Sequence, residues 1–253
     1  MTVGRRPMLH CILRDPPRCA PLPGGLRGIG VDGLRAVVAD VDPDQVRAAD
    51  SAQLQGYADL IAQIHRDAPL IPMRFGCVFP SDSTVRKLLS GHQDRLLSML
   101  DRLDDCVEIG VRLLLPDAPL QAATPARHDP AAPAAPRADA DPVKDLSPGH
   151  GHLAAIRRRL DDEAQAASRA GAARGAIEQV VAGLYRDLHQ EFGQIGGRSL
   201  LSLYFLVPRA HSGDFVDALR RDPSAVPGSG LITGPWPPYN FVGAIDDDLR
   251  SLA

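Results

Sequence analysis

Apolar residues recur along this chain in two periods, and the change from one to the other marks out its elements. Met8 to Leu13 is a compact apolar run, and Gly33 to Ala39 is a β-branched segment behind glycine punctuation, so both are predicted strands. From Ser51 onward Leu54, Tyr57, Ala58, Ile61 and Ile64 fall at helical spacing, with Asp50 or Ser51 as the cap. Val85, Leu88, Leu89, Leu96, Leu97, Leu100 and Leu103 predict a second helical region, bent or broken at Ser90-Gly91. Val107, Ile109, Val111, Leu113 and Leu115 then alternate with Glu108, Gly110, Arg112 and Leu114, which reads as a long strand with one buried face, ended by Pro116.

Between Pro116 and Pro148 lie eight prolines, counting both ends, and almost no large apolar side chains. Such a stretch buries too little surface to offset its ordering entropy, so 117–147 is predicted to be an Ala/Pro-rich linker, semi-stiff and disordered. Beyond it Leu153, Ile156, Leu160, Ala167, Ile177, Val181, Leu184 and Leu188 predict one long helix, or a helical hairpin broken near Gly171 and Gly175. Ser199 to Val207 is a strand buried on both faces, Phe215, Val216 and Leu219 mark a short helix, and Gly230 to Gly234 is one more strand. The expected architecture is α+β, with residues 1–116 as one α+β domain and 148–253 as a smaller α/β domain.

Charge and cysteine content narrow the function classes. With 28 Lys and Arg against 31 Asp and Glu the formal charge is −3, without the concentrated basic face that nucleic acid requires. No apolar stretch has the length of a membrane span, and Cys11, Cys19, Cys77 and Cys106 have no framework spacing, which fits reduced thiols in a cytoplasm. Catalytic signatures are missing: there is no Gly-x-Ser-x-Gly elbow, no phosphate loop and no His-Glu-x-x-His helix. Gly28, Gly30 and Gly33 spell a dinucleotide motif, but a strand-like run follows where a helix is demanded, so they are read as turn glycines. His150 and His152 lack a third ligand in spacing, and no metal or other cofactor is expected.

Two short segments call for a cause. The stretch from Thr233 to Val242 holds three of the chain's eleven aromatics, including the single tryptophan, among Pro235, Pro237 and Pro238. The prolines present Trp236 and Tyr239 on a stiff rod, which either anchors a partner or crosses the second domain and plugs its core. Pro72-Met73-Arg74-Phe75-Gly76 sets a charge among apolar neighbours; if Arg74 is buried it needs a carboxylate, for which Glu108 is the candidate.

These two segments, together with an early short strand, Gly33 to Val38, Val107 to Val111 and the long helix after the linker, resemble the gas vesicle accessory proteins of the GvpF/GvpL family. The resemblance spans nearly the whole chain and is most specific at the closing motif. It implies a ferredoxin-like N-terminal domain and an α/β C-terminal domain with a long helix. It also implies a cytoplasmic, vesicle-associated, non-catalytic assembly factor and minor vesicle component. Its partners would be the small hydrophobic shell protein and other accessory proteins, with no nucleic acid and no membrane. Arg74, Phe75, Glu108, Pro235, Trp236, Pro237, Pro238, Tyr239 and Phe241 would be structural or partner-binding. The alternative is a small-molecule-binding or catalytic ferredoxin-like domain with a regulatory C-terminal part, which requires a deep pocket of convergent polar groups.

Overall fold

A computed structural model describes residues 4–15, 22–115, 148–226 and 230–243, with backbone only for 148–156 and 158–163. The first half holds β1 (Arg6–Arg14), β2 (Leu26–Val31), β3 (Leu34–Val41), α1 (Pro43–Arg47), α2 (Ser51–Asp67), β4 (Ile71–Pro72), α3 (Asp82–Gly91) and α4 (Gln93–Leu103). The second holds β5 (Cys106–Leu114), α5 (Pro148–Val180), β6 (Asp187–Ile195), β7 (Arg198–Pro208), α6 (Ser212–Arg221) and β8 (Leu231–Trp236).

The strands form two antiparallel four-stranded sheets, ordered β2-β3-β1-β4 and β6-β7-β5-β8. Both orders are the same permutation of strands as they occur along the chain. In the second sheet α5 and α6 make the two crossovers. In the first sheet α1 and α2 make the later crossover, and no described helix makes the earlier one.

The strand at 107–115 was expected to complete the sheet of residues 1–116. Instead β5 lies inside the second sheet, paired with β7 along its full length and with β8 on its other side. Gly110, which has no side chain to hold Thr233 off, admits β8 as the second neighbour of β5. The composition boundary at Pro116 is therefore where the chain leaves the second sheet.

Each sheet is buried by helices, as amphipathic layers require. On one face of the first sheet Met8, Cys11, Leu13 and Val37 pack on Tyr57, Ile61 and Ile64 of α2. That helix starts with a capping box in which the Asp50 side chain accepts from Gln53 N and the Gln53 side chain accepts from Asp50 N. Leu54, expected in its core stripe, is 46% exposed, because it stands in the first turn beyond the sheet. The opposite face, Leu9, Ile12, Ala36 and Val38, packs on α3 and α4. Those two helices are separated at His92, as the Ser90-Gly91 bend predicted.

The same cluster contains Tyr204 and Leu206 of β7, so α3 and α4 lie in the core that joins the two sheets. The far face of the second sheet, Val107, Ile109, Val111, Leu203 and Phe205, is closed by Ile177 and Val181 near the end of α5 and by Phe215 and Leu219 of α6. Phe205 stands between Tyr185 and Phe215, each 5.0 Å away by ring centroid.

Two further expectations are corrected. Helix α5 runs unbroken through Gly171 and Gly175 but ends at Val180, and Leu188 belongs to β6, a strand the periodicity missed. Gly28 and Gly30 lie within β2, a strand rather than a turn, while the turn proper is Asp32-Gly33, both at positive φ. Cys11, Cys77 and Cys106 are buried, and none of the three is in a disulfide. Cys19 and the linker 117–147 lie outside the described residues.

Candidate interaction surface

The closing motif is two structures in succession. Leu231 to Trp236 is the outer strand β8, held on β5 with a bulge between Glu108 and Gly110. Gly234 sits at φ +111°, where a side chain is strained, and an added Cβ would stand 2.6 Å from the Glu108 carbonyl oxygen. On β5 a Cβ at Gly110 would stand 2.7 Å from Thr233 Oγ1. Two glycines thus set the close approach of β8 to β5.

After Trp236 the chain turns inward. Pro237 and Pro238 are buried, a 3₁₀ turn spans Tyr239–Phe241, and Phe241 and Val242 enter the core between the sheets. The Arg102 guanidinium lies 5.9 Å from the centre of the Phe241 ring. Tyr239 packs beside the α2 cluster, as does Phe75, and burial raises its phenol well above the usual value.

Glu108 fixes this turn. Its carboxylate is 4% exposed and accepts hydrogen bonds from Asn240 N at 2.8 Å and Asn240 Nδ2 at 2.6 Å. Burial raises its pKa to about 6 despite the two bonds from Asn240, and Glu191 across the sheet adds to the rise. The condition for an Arg74–Glu108 pair is not met: Arg74 is exposed after β4, and Asn240 takes the carboxylate. Phe75 is half-buried and meets Tyr57 edge-on at 5.3 Å.

Trp236 stands outside this plug. It lies opposite Glu108 in the strand pairing and is 49% exposed, and its neighbour Pro235 is exposed too, so the rod plugs the core with Phe241 rather than with tryptophan. The structure thus gathers Glu108, Pro237, Pro238, Tyr239 and Phe241 at the junction of the sheets, with Phe75 against the adjoining cluster. It leaves Arg74, Pro235 and Trp236 at the surface.

Sequence reasoning missed the outer strand β6, where Phe192 is 48% and Ile195 58% exposed. Its polar residues Gln190, Glu191 and Gln194 concealed the alternation. Both outer strands of the second sheet therefore display large apolar side chains, since Leu231 of β8 is 54% exposed. On the first sheet a cleft of about 220 Å³ is lined by Arg5, Met8, Asp40, Val46, Gln53 and Phe75, among others. Among the described residues no group of three or more His, Cys, Asp and Glu is placed to hold a metal ion, and no helix is long and apolar enough to cross a membrane.

Comparison with known proteins places this architecture. The profile of a family described as "Gas vesicle synthesis protein GvpL/GvpF" matches residues 9–243. Gas vesicle protein L of Streptomyces sp. (strain CB03234) is 30% identical over 227 residues, covering 86% of this chain and 76% of that protein. Gas vesicle protein F of the same strain is 27% identical over 237 residues, covering 87% and 93%. Among solved structures, gas vesicle protein GvpF from Anabaena sp. PCC7120 aligns with a TM-score of 0.65 at 17% identity, over 94% of this chain and 95% of that one. GvpF from Microcystis aeruginosa aligns with 0.64 at 13%, over 95% and 99%. At those identities the structures speak for the fold, while the profile and the Streptomyces relatives speak for descent. The chain belongs to the GvpL/GvpF family of gas vesicle proteins.

Proposed function

We propose that this chain is a cytoplasmic, vesicle-associated assembly factor and minor component of gas vesicles. It binds the small hydrophobic shell protein, or other accessory proteins, during nucleation and growth, and it makes and breaks no covalent bond. The observation that carries this reading is the family match from residue 9 to 243. The exposed Phe192, Ile195, Leu231 and Trp236 on the second sheet supply contact surface for a binder. A shell subunit that packs edge to edge presents apolar surface before assembly, and that surface aggregates unless a partner covers it reversibly.

The small-molecule alternative finds less support. The cleft beside Phe75, at about 220 Å³, is below the roughly 300 Å³ at which ligand pockets begin. The buried carboxylate that faces the closing motif, Glu108 of β5, already has its hydrogen bonds from Asn240. We also read both sheets as ferredoxin-like, the first with no described helix in its earlier crossover. Their shared strand order and the two crossovers of the second sheet support this.

Co-expression with the shell protein, followed by co-purification across a salt series, tests the function. Retention of the shell protein is expected, and no association at any salt overturns the reading.

A further inference from the structure

The face of the second sheet opposite α5 and α6 is covered over half its length. Tyr204 and Leu206 lie against Leu96, Leu100 and Leu103 of α4, and Phe241 completes that cover. Further along the same strands no described residue continues that cover. The pairing register puts Ile195, Leu200, Leu114 and Leu231, one from each strand, on this continuation, together with Arg112 and Arg198. Ile195 is 58% and Leu231 54% exposed, Leu114 and Leu200 are half-buried, and both arginines are exposed.

We propose that this uncovered half-face is a docking surface for an amphipathic helix of a vesicle protein, with acidic residues flanking its apolar stripe. The inference rests on the reading of the chain as a binder and names the surface and the partner chemistry. Three observations choose the occupant. The patch continues an interface that helix α4 already makes on the same face, so a second helix extends existing packing. Arg112 and Arg198 make no ion pair with any described residue, whereas Glu191, which the register puts on the same face, accepts from Tyr204 Oη at 3.1 Å and has His189 3.7 Å away. Two guanidinium groups with no described carboxylate partner favour carboxylates on the docking protein. A second copy of this chain fits worse, because a two-fold contact through the patch sets arginines against arginines.

The test uses the full chain co-expressed with the shell protein and the other vesicle proteins. Ile195 and Leu231 are replaced, one at a time, by the photo-crosslinking residue p-benzoylphenylalanine, and the joined peptides are identified by mass spectrometry. Adducts to a helical, acid-bearing segment of one vesicle protein are expected at both positions. Adducts to a second copy, adducts to an extended segment along β6, or no adduct at either position overturn the assignment. In parallel, R112E combined with R198E should weaken retention of that protein at least tenfold while the melting temperature stays within about 2 °C. If unaltered protein retains vesicle proteins and the double variant retains them equally, the docking face is wrong and the function stands. If unaltered protein retains none, both fail.

Discussion

Glu108 on β5 and Asn240 in the closing turn are 132 residues apart in sequence, and both carboxylate oxygens accept from that single asparagine. One oxygen takes the backbone N–H and the other takes the side-chain amide, so the pair fixes the direction in which the chain turns after Trp236. This turn delivers Phe241 and Val242 to the core between the sheets. Breaking the pair should therefore loosen that core as well as the turn. Asn240→Ala leaves one oxygen of a buried carboxylate without a donor, and a loss of about 2 to 3 kcal/mol by urea unfolding is expected.

The same carboxylate gives stability an unusual pH slope. Its pKa of about 6 in the folded chain lies above the ordinary 4.5. The native state therefore holds the proton more tightly, and the contribution is full below pH 4.5 and lost as pH rises through 6. The size is on the order of 2 kcal/mol. Glu108→Gln removes this contribution from the net profile and leaves the slopes of the other groups: with the Asn240 amide turned over, the Gln oxygen accepts from Asn240 N and its amide donates to the Asn240 oxygen. Chemical unfolding of both proteins from pH 4.5 to 6.5 checks this, and a Gln variant with an unchanged slope refutes the assignment.

Close approach of β8 to β5 predicts a graded pair of glycine effects. Gly234→Ala meets a carbonyl oxygen of the backbone at positive φ and should cost about 2 kcal/mol or more. Gly110→Ala meets the Thr233 hydroxyl, a side-chain atom that can rotate away, and should cost less. Thermal melts of the two variants, compared on one protein scale, rank them.

Within the closing motif two aromatics separate stability from contact. Phe241→Ala removes a buried ring and should destabilise by roughly 3 to 5 kcal/mol. Trp236, half in solvent, should cost about 1 kcal/mol or less as Trp236→Ala. Equal losses in calorimetry would show that the tryptophan carries packing after all.

What was legible in the sequence was whatever one face buries. The periodic stripes of α2 and of α3 with α4, the apolar runs of β1 and β7, and the break before α4 could all be read directly, because burial on a fixed period leaves a one-dimensional trace. Outer strands leave a weaker one. Strand β6 was hidden by Gln190, Glu191 and Gln194, and Leu184 and Leu188 happen to continue the spacing of α5. Strand β2 was hidden by Gly28 and Gly30, which resemble a turn until Arg35 is seen lying across Gly28. Long-range choices left no trace at all. Nothing local says that β5 pairs with strands beyond the linker, or that Glu108 takes Asn240 rather than Arg74. Its aromatics and prolines marked out the closing motif and carried the family resemblance, but only the packing divides it into a buried plug and an exposed tryptophan.

A buried histidine opposes Glu108 on the pH axis. His65, at the end of α2, is 4% exposed, and burial lowers its pKa to about 4. The Arg209 guanidinium, which donates to the His65 carbonyl oxygen, disfavours the imidazolium further, while a hydrogen bond with the Cys106 backbone works the other way. Here the folded value lies below the ordinary 6.5, so the contribution is full above pH 6.5 and lost as pH falls through 4. Its size is on the order of 3 kcal/mol. Buried His10 is shifted in the same direction. Between pH 4.5 and 6 the Glu108 and His65 slopes have opposite sign and similar size, so the parent protein should show a nearly flat profile there. Glu108→Gln should expose the histidine slope, with stability falling as the solution is acidified. His65→Gln should expose the carboxylate slope, with stability falling as pH rises. Slopes of the same sign in the two variants would mean that other groups govern the acid response.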